Sequence, residues 1–171
     1  MTAPLSSGRA RRSVAALGAV SAGLLVLSAC DKPTPLATVT VGSSSVSAQA
    51  TCKLKDSEKE LSDARVQECL EDSKGAKNAQ SIDYTAGDTL RLGVEPEVVE
   101  GGKKWLAAVG TQRLGDLTSN TYQSFPGLNP FSTGGQGAPA APVDAQPIHI
   151  IELSENGKPT SVWTFNLKLK K

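Results

Sequence analysis

Apolar and polar side chains alternate with a period of two through most of this chain, and that constrains its fold more than any other feature. The clearest run is near the end, where Trp163, Phe165, Leu167 and Leu169 alternate with Thr164, Asn166, Lys168 and Lys170. Successive side chains of an extended strand point to opposite faces, so such a run buries one face and wets the other. Ala37, Val39 and Val41 stand against Thr38 and Thr40, and Leu90, Leu92 and Val94 against Arg91, Gly93 and Glu95, before Pro96 ends ladder pairing. Val46, Ala48, Ala50 and Cys52 continue the pattern opposite Ser45, Ser47, Gln49 and Thr51. That phase predicts that Cys52 faces the core.

Turn chemistry separates these runs. Gly42-Ser43-Ser44 and Thr85-Ala86-Gly87-Asp88 break the early ones. Asn156-Gly157 is the pair favoured in a type I′ hairpin, joining Ile148, Ile150 and Ile151 to the Trp163 strand. Gly101-Gly102-Lys103-Lys104 reads as a turn entering a strand, and Trp105 opens the apolar stretch Leu106 to Val109 with its indole in the core. Gly115-Asp116 leads into a Thr-rich strand, Thr118 to Ser124. The Pro-, Gly- and Ala-rich stretch 125–146 reads as a long mobile loop. Ser57-x-x-Glu60 has the form of a capping box and Gly75 that of a helix stop, predicting a short surface helix over 58–72. The charge run Lys53 to Lys77 around it reads as a solvated excursion. Seven or eight short strands with one short helix predict an all-β fold, an immunoglobulin-like or cupredoxin-like β-sandwich in a single domain, 37–171.

The first 29 residues have a different character. Arg9, Arg11 and Arg12 form a positive segment, followed by the uncharged apolar run Val14 to Ala29. That run fits the hydrophobic part of a secretory signal better than a membrane span of about 20 residues. Leu27-Ser28-Ala29-Cys30 closes it in a pattern similar to the lipobox of bacterial lipoproteins. The resemblance implies cleavage before Cys30, a lipid on its thiol, and residence on the outer face of the cytoplasmic membrane. Residues 30–36 then form a lipidated tether, whose six residues from Asp31 to Leu36 reach at most ~20 Å. Arg11-Arg12 leaves both the general secretory and the twin-arginine export routes open.

Processing at Cys30 changes two other readings. Three of the 18 basic residues precede Cys30 and all 17 acidic ones follow it, so the processed chain holds 15 basic against 17 acidic side chains, a formal net charge of −2. No polybasic patch remains to attract nucleic acid. Of three cysteines, Cys52 and Cys69 are left as a pair in an oxidising compartment. A structural disulfide is the economical reading; a redox-active pair normally has closer spacing, such as C-x-x-C.

The arrangement as a whole resembles an uncharacterised family of actinobacterial lipoproteins. The features that carry the resemblance are the lipobox, an early pair of strands, the Cys52 and Cys69 pair, the segment Gly87-Asp88-Thr89-Leu90 running on to Glu95-Pro96-Glu97-Val98-Val99, Trp105, and the Trp163 hairpin. It implies a location and a fold, and brings no reaction, ligand or cofactor.

Catalytic chemistry finds few footholds. A blue-copper centre needs two histidines and a cysteine thiolate, and the chain has one histidine, His149. Zinc sites built on His and Cys fail on the same count, and no calcium-loop pattern is present. Pro130-Phe131-Ser132-Thr133-Gly134 resembles a nucleophile elbow without its first glycine. His149, its only conceivable base, shares a strand face with Ile151 and Leu153, as a partly buried, hydrogen-bonded histidine would. Glu95, Glu97 and Glu100 cluster in one turn, whereas acid–base pairs face each other across a cleft. The sequence therefore predicts a non-enzymatic, lipid-anchored module without cofactors that binds an envelope protein or wall polymer. A small-ligand carrier with a pocket between the sheets is the alternative, and a hydrolase comes third. Trp105 and Trp163 read as core anchors, leaving Tyr122, Phe125 and Phe131 as an expected exposed patch for partner contact.

Overall fold

The computed structural model describes residues 34–55, 57–72, 79–110, 112–133 and 141–170. The signal segment, Cys30, Gly75 and the middle of the Pro/Gly/Ala stretch lie outside the described residues. Among those described are twelve strands: β1 (Leu36–Val41), β2 (Ser44–Gln49), β3 (Cys52–Lys53), β4 (Gln80–Tyr84), β5 (Leu90–Val94), β6 (Lys104–Val109), β7 (Gln112–Thr118), β8 (Tyr122–Phe125), β9 (Ser132–Thr133), β10 (Ala141–Pro142), β11 (Ala145–Leu153) and β12 (Pro159–Leu169). One α-helix among the described residues, α1, spans Asp63–Asp72, and single 3-10 turns occupy Pro96–Val98 and Glu100–Gly102.

Two sheets enclose the core, as the alternation requires. The first has the order β2-β1-β5-β8; the second runs β3-β12-β11-β6-β7, with β4 also on β12. From the first sheet Ala37, Val39, Val41, Leu90, Leu92 and Val94 point inward; from the second come Trp105, Ala107, Ile148, Ile150, Trp163, Phe165 and Leu167. Both indoles are buried and both N–H groups are satisfied: Trp105 Nε1 donates to Asn120 O at 2.7 Å and Trp163 Nε1 to Pro35 O at 3.1 Å. A buried indole without such an acceptor would leave its N–H unsatisfied, at a cost of about 1–3 kcal/mol.

Several elements differ from the sequence reading, each for a local reason. The strand count exceeds seven or eight because three strands are only two residues long and because Gln80–Tyr84 adds a further strand, β4. β4 lies parallel to β12, with Ile82 beside Leu167 and Tyr84 beside Leu169. The expected strand from Ser45 to Cys52 breaks at Ala50-Thr51, where the chain passes from the first sheet to the edge of the second. Side-chain parity does not survive that crossing. Cys52 pairs with Val162 and so points to the outer side of the second sheet, away from the core that Trp163 enters. The expected Thr118–Ser124 strand is also two pieces: β7 ends at Thr118 and β8 begins at Tyr122 in the other sheet. Between Trp105–Thr118 and Ala107–Leu114 the ladder shifts, a bulge that Gly115 accommodates at φ +62°.

The helix begins later than its apparent capping box. Ser62 supplies the cap, its Oγ accepting from Arg65 N at 3.3 Å. The Glu58 carboxylate instead accepts from Lys55 N, closing a turn. Leu61 is buried and its N–H donates to Pro159 O at 2.7 Å, which holds 57–62 out of a helix. The Asn156-Gly157 hairpin is not type I′, which needs positive φ at both residues. Only Gly157 is left-handed, at φ +74°. Gly157 N donates to Ser154 O and Ser154 N to Lys158 O, both at 2.8 Å. That pattern is a type I turn closed by a glycine bulge; a separate register shift follows at Glu152/Leu153, where Thr160 is the extra residue.

Candidate functional site

Strand directions give the sandwich two ends. At the near end β1 starts; here too are the Glu95–Lys103 connection, the Ser154–Lys158 turn and the β7–β8 crossing. At the far end are the Gly42 and Gly87 turns and the segment from Phe125 to Ala145. The entering chain is tied down at the near end. Leu36 N donates to Glu95 Oε2 at 2.8 Å, Glu95 N donates back to Leu36 O at 3.1 Å, and Pro35 O receives the Trp163 indole.

Of the carboxylates grouped in the sequence, that of Glu95 does structural work at this end. Glu95 holds the start of β1. Glu152, only 5% exposed, faces Lys103 Nζ at 2.9 Å, and the same ammonium donates to Glu97 O at 3.3 Å. A buried carboxylate without such a partner would be strongly destabilising. Among the described residues no three His, Cys, Asp or Glu side chains are grouped to hold a metal ion. His149 is buried and its Nδ1 lies 3.2 Å from Thr164 Oγ1, the hydrogen-bonded role expected of it.

The expected aromatic patch is not assembled. Tyr122 is 51% exposed, Phe125 is half-buried, and Phe131 is only 6% exposed. Phe131 belongs to the core and packs on Tyr84, with ring centroids 5.8 Å apart and tilted by 52°. The Tyr84 hydroxyl reaches the carbonyl oxygens of both Asp88 and Leu128. Burial, and then the Asp88 carboxylate, raise the Tyr84 pKa above its ordinary value of 10.0. The first part of the Pro/Gly/Ala stretch is thus packed onto the sandwich. Its apolar residues Leu128 and Phe131 were the available signal, outweighed by the surrounding composition.

Cys52 and Cys69 form a disulfide, with Cα atoms 6.1 Å apart. Cys69 lies on α1, which packs on β12. Together with Leu61 and Val162 it is buried apart from the main core. The bridge therefore clamps a small second apolar cluster on the outer side of the second sheet. A charged hollow of about 290 Å³, lined by Lys55, Arg65 and Glu68, flanks it.

A larger cleft, of about 520 Å³, opens along one side of the sandwich between β2 and the edge of β12. Ser47, Gln49, Thr51, Gln80 and Thr164 line it, with Leu36 beside them. Among the described residues that line it, none has an ionisable or aromatic side chain. No sequence signal marked it, because its walls meet only through the crossing at Ala50-Thr51 and the parallel placement of β4.

No family model matches the chain, and no curated protein matches it. Among solved structures it is similar to the fibronectin(III)-like modules of Clostridium thermocellum CbhA, at a TM-score of 0.36 and 8% identity over 56% of this chain and 92% of that one. The assignment to an all-β sandwich rests on the two sheets themselves. Among the described residues no helix is long and apolar enough to cross a membrane.

Proposed function

We propose that this chain is an exported lipoprotein, anchored through Cys30 to the outer face of the cytoplasmic membrane, whose sandwich is a non-enzymatic interaction module of the cell envelope. The observation that carries the reading is the short, pinned entry of the chain. Leu36, six residues after Cys30, is already in β1 and fastened to Glu95 at the near end. Two acyl chains on one residue suffice for stable anchoring, and so short a tether keeps the near end toward the bilayer and the far end outward. The space between the sheets is filled by Trp105, Trp163 and Phe165, which speaks against a carrier with an interior pocket. A carrier that uses the lateral cleft is the second reading, favoured by the convergent Ser47, Gln49, Gln80 and Thr164.

Cys30→Ser tests the anchor. The expected result is protein that stays uncleaved or appears in the medium, with loss of the lipid label on the chain. Detergent-requiring membrane retention of correctly cleaved Cys30→Ser protein refutes the proposal.

A further inference from the structure

We propose that the Cys52–Cys69 bridge is a redox-sensitive clasp: an external dithiol reduces it through the charged hollow by attack on Cys52, and α1 then lifts from β12 while the sandwich stays folded. The clasp is a property of the fold and holds whether or not Cys30 carries a lipid.

The bridge lies outside the core that the two sheets share. Cys52 belongs to β3, a two-residue strand laddered to Ser161 and Val162 of β12, and Cys69 sits in the second half of α1. Both cysteines line the hollow of about 290 Å³, together with Lys55, Arg65 and Glu68. The two are not equally open. Cys69 is 2% exposed, whereas Cys52 is half-buried. Exchange depends on which sulfur an incoming thiolate can reach, so attack on Cys52 with departure of Cys69 is the accessible route.

The charges around the hollow favour the same direction of cleavage. Arg65 and Cys69 are four residues apart on α1, a spacing that puts them on one face of the helix. Arg65 is paired with Glu58 at 3.5 Å, and the two side chains are 28% and 34% exposed, a loose and screened contact. Lys55 stands exposed beside the same hollow. A cation next to a departing sulfur stabilises its thiolate and makes it a better leaving group. Glu68 acts against this, one carboxylate facing two cations among the described lining residues.

In the exchange, one thiolate of the dithiol forms an S–S bond to Cys52 Sγ as the bond to Cys69 breaks. The electron pair leaves on Cys69 Sγ, which takes a proton from water. The second thiolate then attacks the mixed disulfide, releasing Cys52 as a thiol and closing the dithiol as its own disulfide. Two electrons pass from the dithiol to the bridge.

The element set free is one that cannot stand by itself. α1 has ten residues, fewer than the ~12–15 that an isolated helix needs in water. Its start is held by the Ser62 cap and by the bond from Leu61 N to Pro159 O. Further along, Val66 and Leu70 are half-buried and Cys69 is buried. Separating the sulfurs therefore loosens the second half of the helix and uncovers Val162, which shares the outer side of the second sheet with Cys69 and Leu61. Trp163, Phe165 and Leu167 face the other side of β12, in the main core, so the sandwich keeps its packing.

The test uses the oxidised full chain in detergent micelles without denaturant. Dithiothreitol and, in a parallel arm, a thioredoxin at equal thiol concentration are the reductants; free thiols are alkylated and mapped by mass spectrometry. The expected result is reduction at least about tenfold faster than the sandwich unfolds. Amide exchange over 61–72 should then rise by about tenfold or more, with β1, β5 and β11 unchanged. A faster thioredoxin arm supports a protein dithiol as the reductant, and a faster dithiothreitol arm a small one. Glutathione, a monothiol, should be trapped on Cys52 with Cys69 alkylated. Lys55→Gln, at an exposed position, should slow reduction by about threefold without altering exchange in the oxidised protein. The proposal is overturned if the bridge is reduced only as fast as the sandwich unfolds, or if reduction unfolds the whole domain. Continued protection of α1 after reduction, glutathione found on Cys69, or a Lys55→Gln rate equal to that of the parent chain overturns it as well. Each of these leaves the Cys30→Ser result and the interaction-module reading untouched.

Discussion

Replacing Phe131 with alanine separates two descriptions of the segment that follows β8. On an exposed patch the substitution would change stability by no more than about 0.5 kcal/mol. The ring is instead 6% exposed and packs against Tyr84. A buried aromatic side chain removes about 150–250 Å² from water. At about 25 cal/mol per Å² its lower end is worth about 4 kcal/mol, and the methyl that alanine keeps returns ~0.8 kcal/mol. The tilted pair with Tyr84 adds about 0.5–1.5 kcal/mol. Because the ring is carried by a connecting segment that can partly collapse into the gap, the expected loss is near the low end of the usual Phe→Ala range, about 3 kcal/mol. With a urea m-value of ~2 kcal/mol/M, the unfolding midpoint should fall by about 1.5 M. The melting temperature should drop by about 10 °C for a domain of this size. Tyr122→Ala, at a site 51% exposed, serves as the control and should stay within ~0.5 kcal/mol. A Phe131→Ala midpoint equal to that of the control would refute the packing argument.

Two further outcomes follow from named groups. Removing the bridge with Cys52→Ala and Cys69→Ala together should cost about 3 kcal/mol in denaturant unfolding, since the cysteines are 17 residues apart; unchanged stability would show that α1 does not depend on its clamp. Tyr84 has a raised pKa, so folding favours its neutral phenol. Its contribution is complete below pH 10.0, the ordinary value, and is lost as the pH rises through the higher folded pKa. In a Tyr122→Phe background Tyr84 is the remaining tyrosine, and its phenolate absorbance should appear later in the folded than in the unfolded protein; coincident titrations would contradict the burial.

The parts of the fold that were legible in the sequence are those governed by local period. β1, β5 and β12 announce themselves because Ala37, Leu92 and Phe165 each sit in a two-residue rhythm that a half-buried strand requires, and β6 because Trp105 opens a continuous apolar run. Places where the chain changes sheets were not legible. Cys52 follows the rhythm of β2 yet faces the other way, because a crossing resets parity and nothing at Ala50-Thr51 signals it by composition. Tyr84 and Phe131 illustrate the second limit: their contact joins residues far apart in sequence, and the glycine- and proline-rich surroundings of Phe131 obscured a core residue. Cap choice was the third. Ser57-x-x-Glu60 has the right letters, but the hydrogen bond from Leu61 N to Pro159 O is a tertiary constraint, and it hands the cap to Ser62. The lateral cleft combines the first two, since it exists only where β2, β4 and β12 meet.

β1 also determines how the molecule carries load. It is the strand through which the chain enters the sandwich, and it lies in the middle of its sheet, laddered to β2 along six residues and to β5 along five. A pull on the chain ahead of Thr34 acts along the axis of this strand, so the cross-strand hydrogen bonds share the force side by side rather than opening one after another. Glu95 and Trp163 grip the point of entry. The domain should therefore resist a high force before it unravels, a property that single-molecule stretching from the two termini can measure.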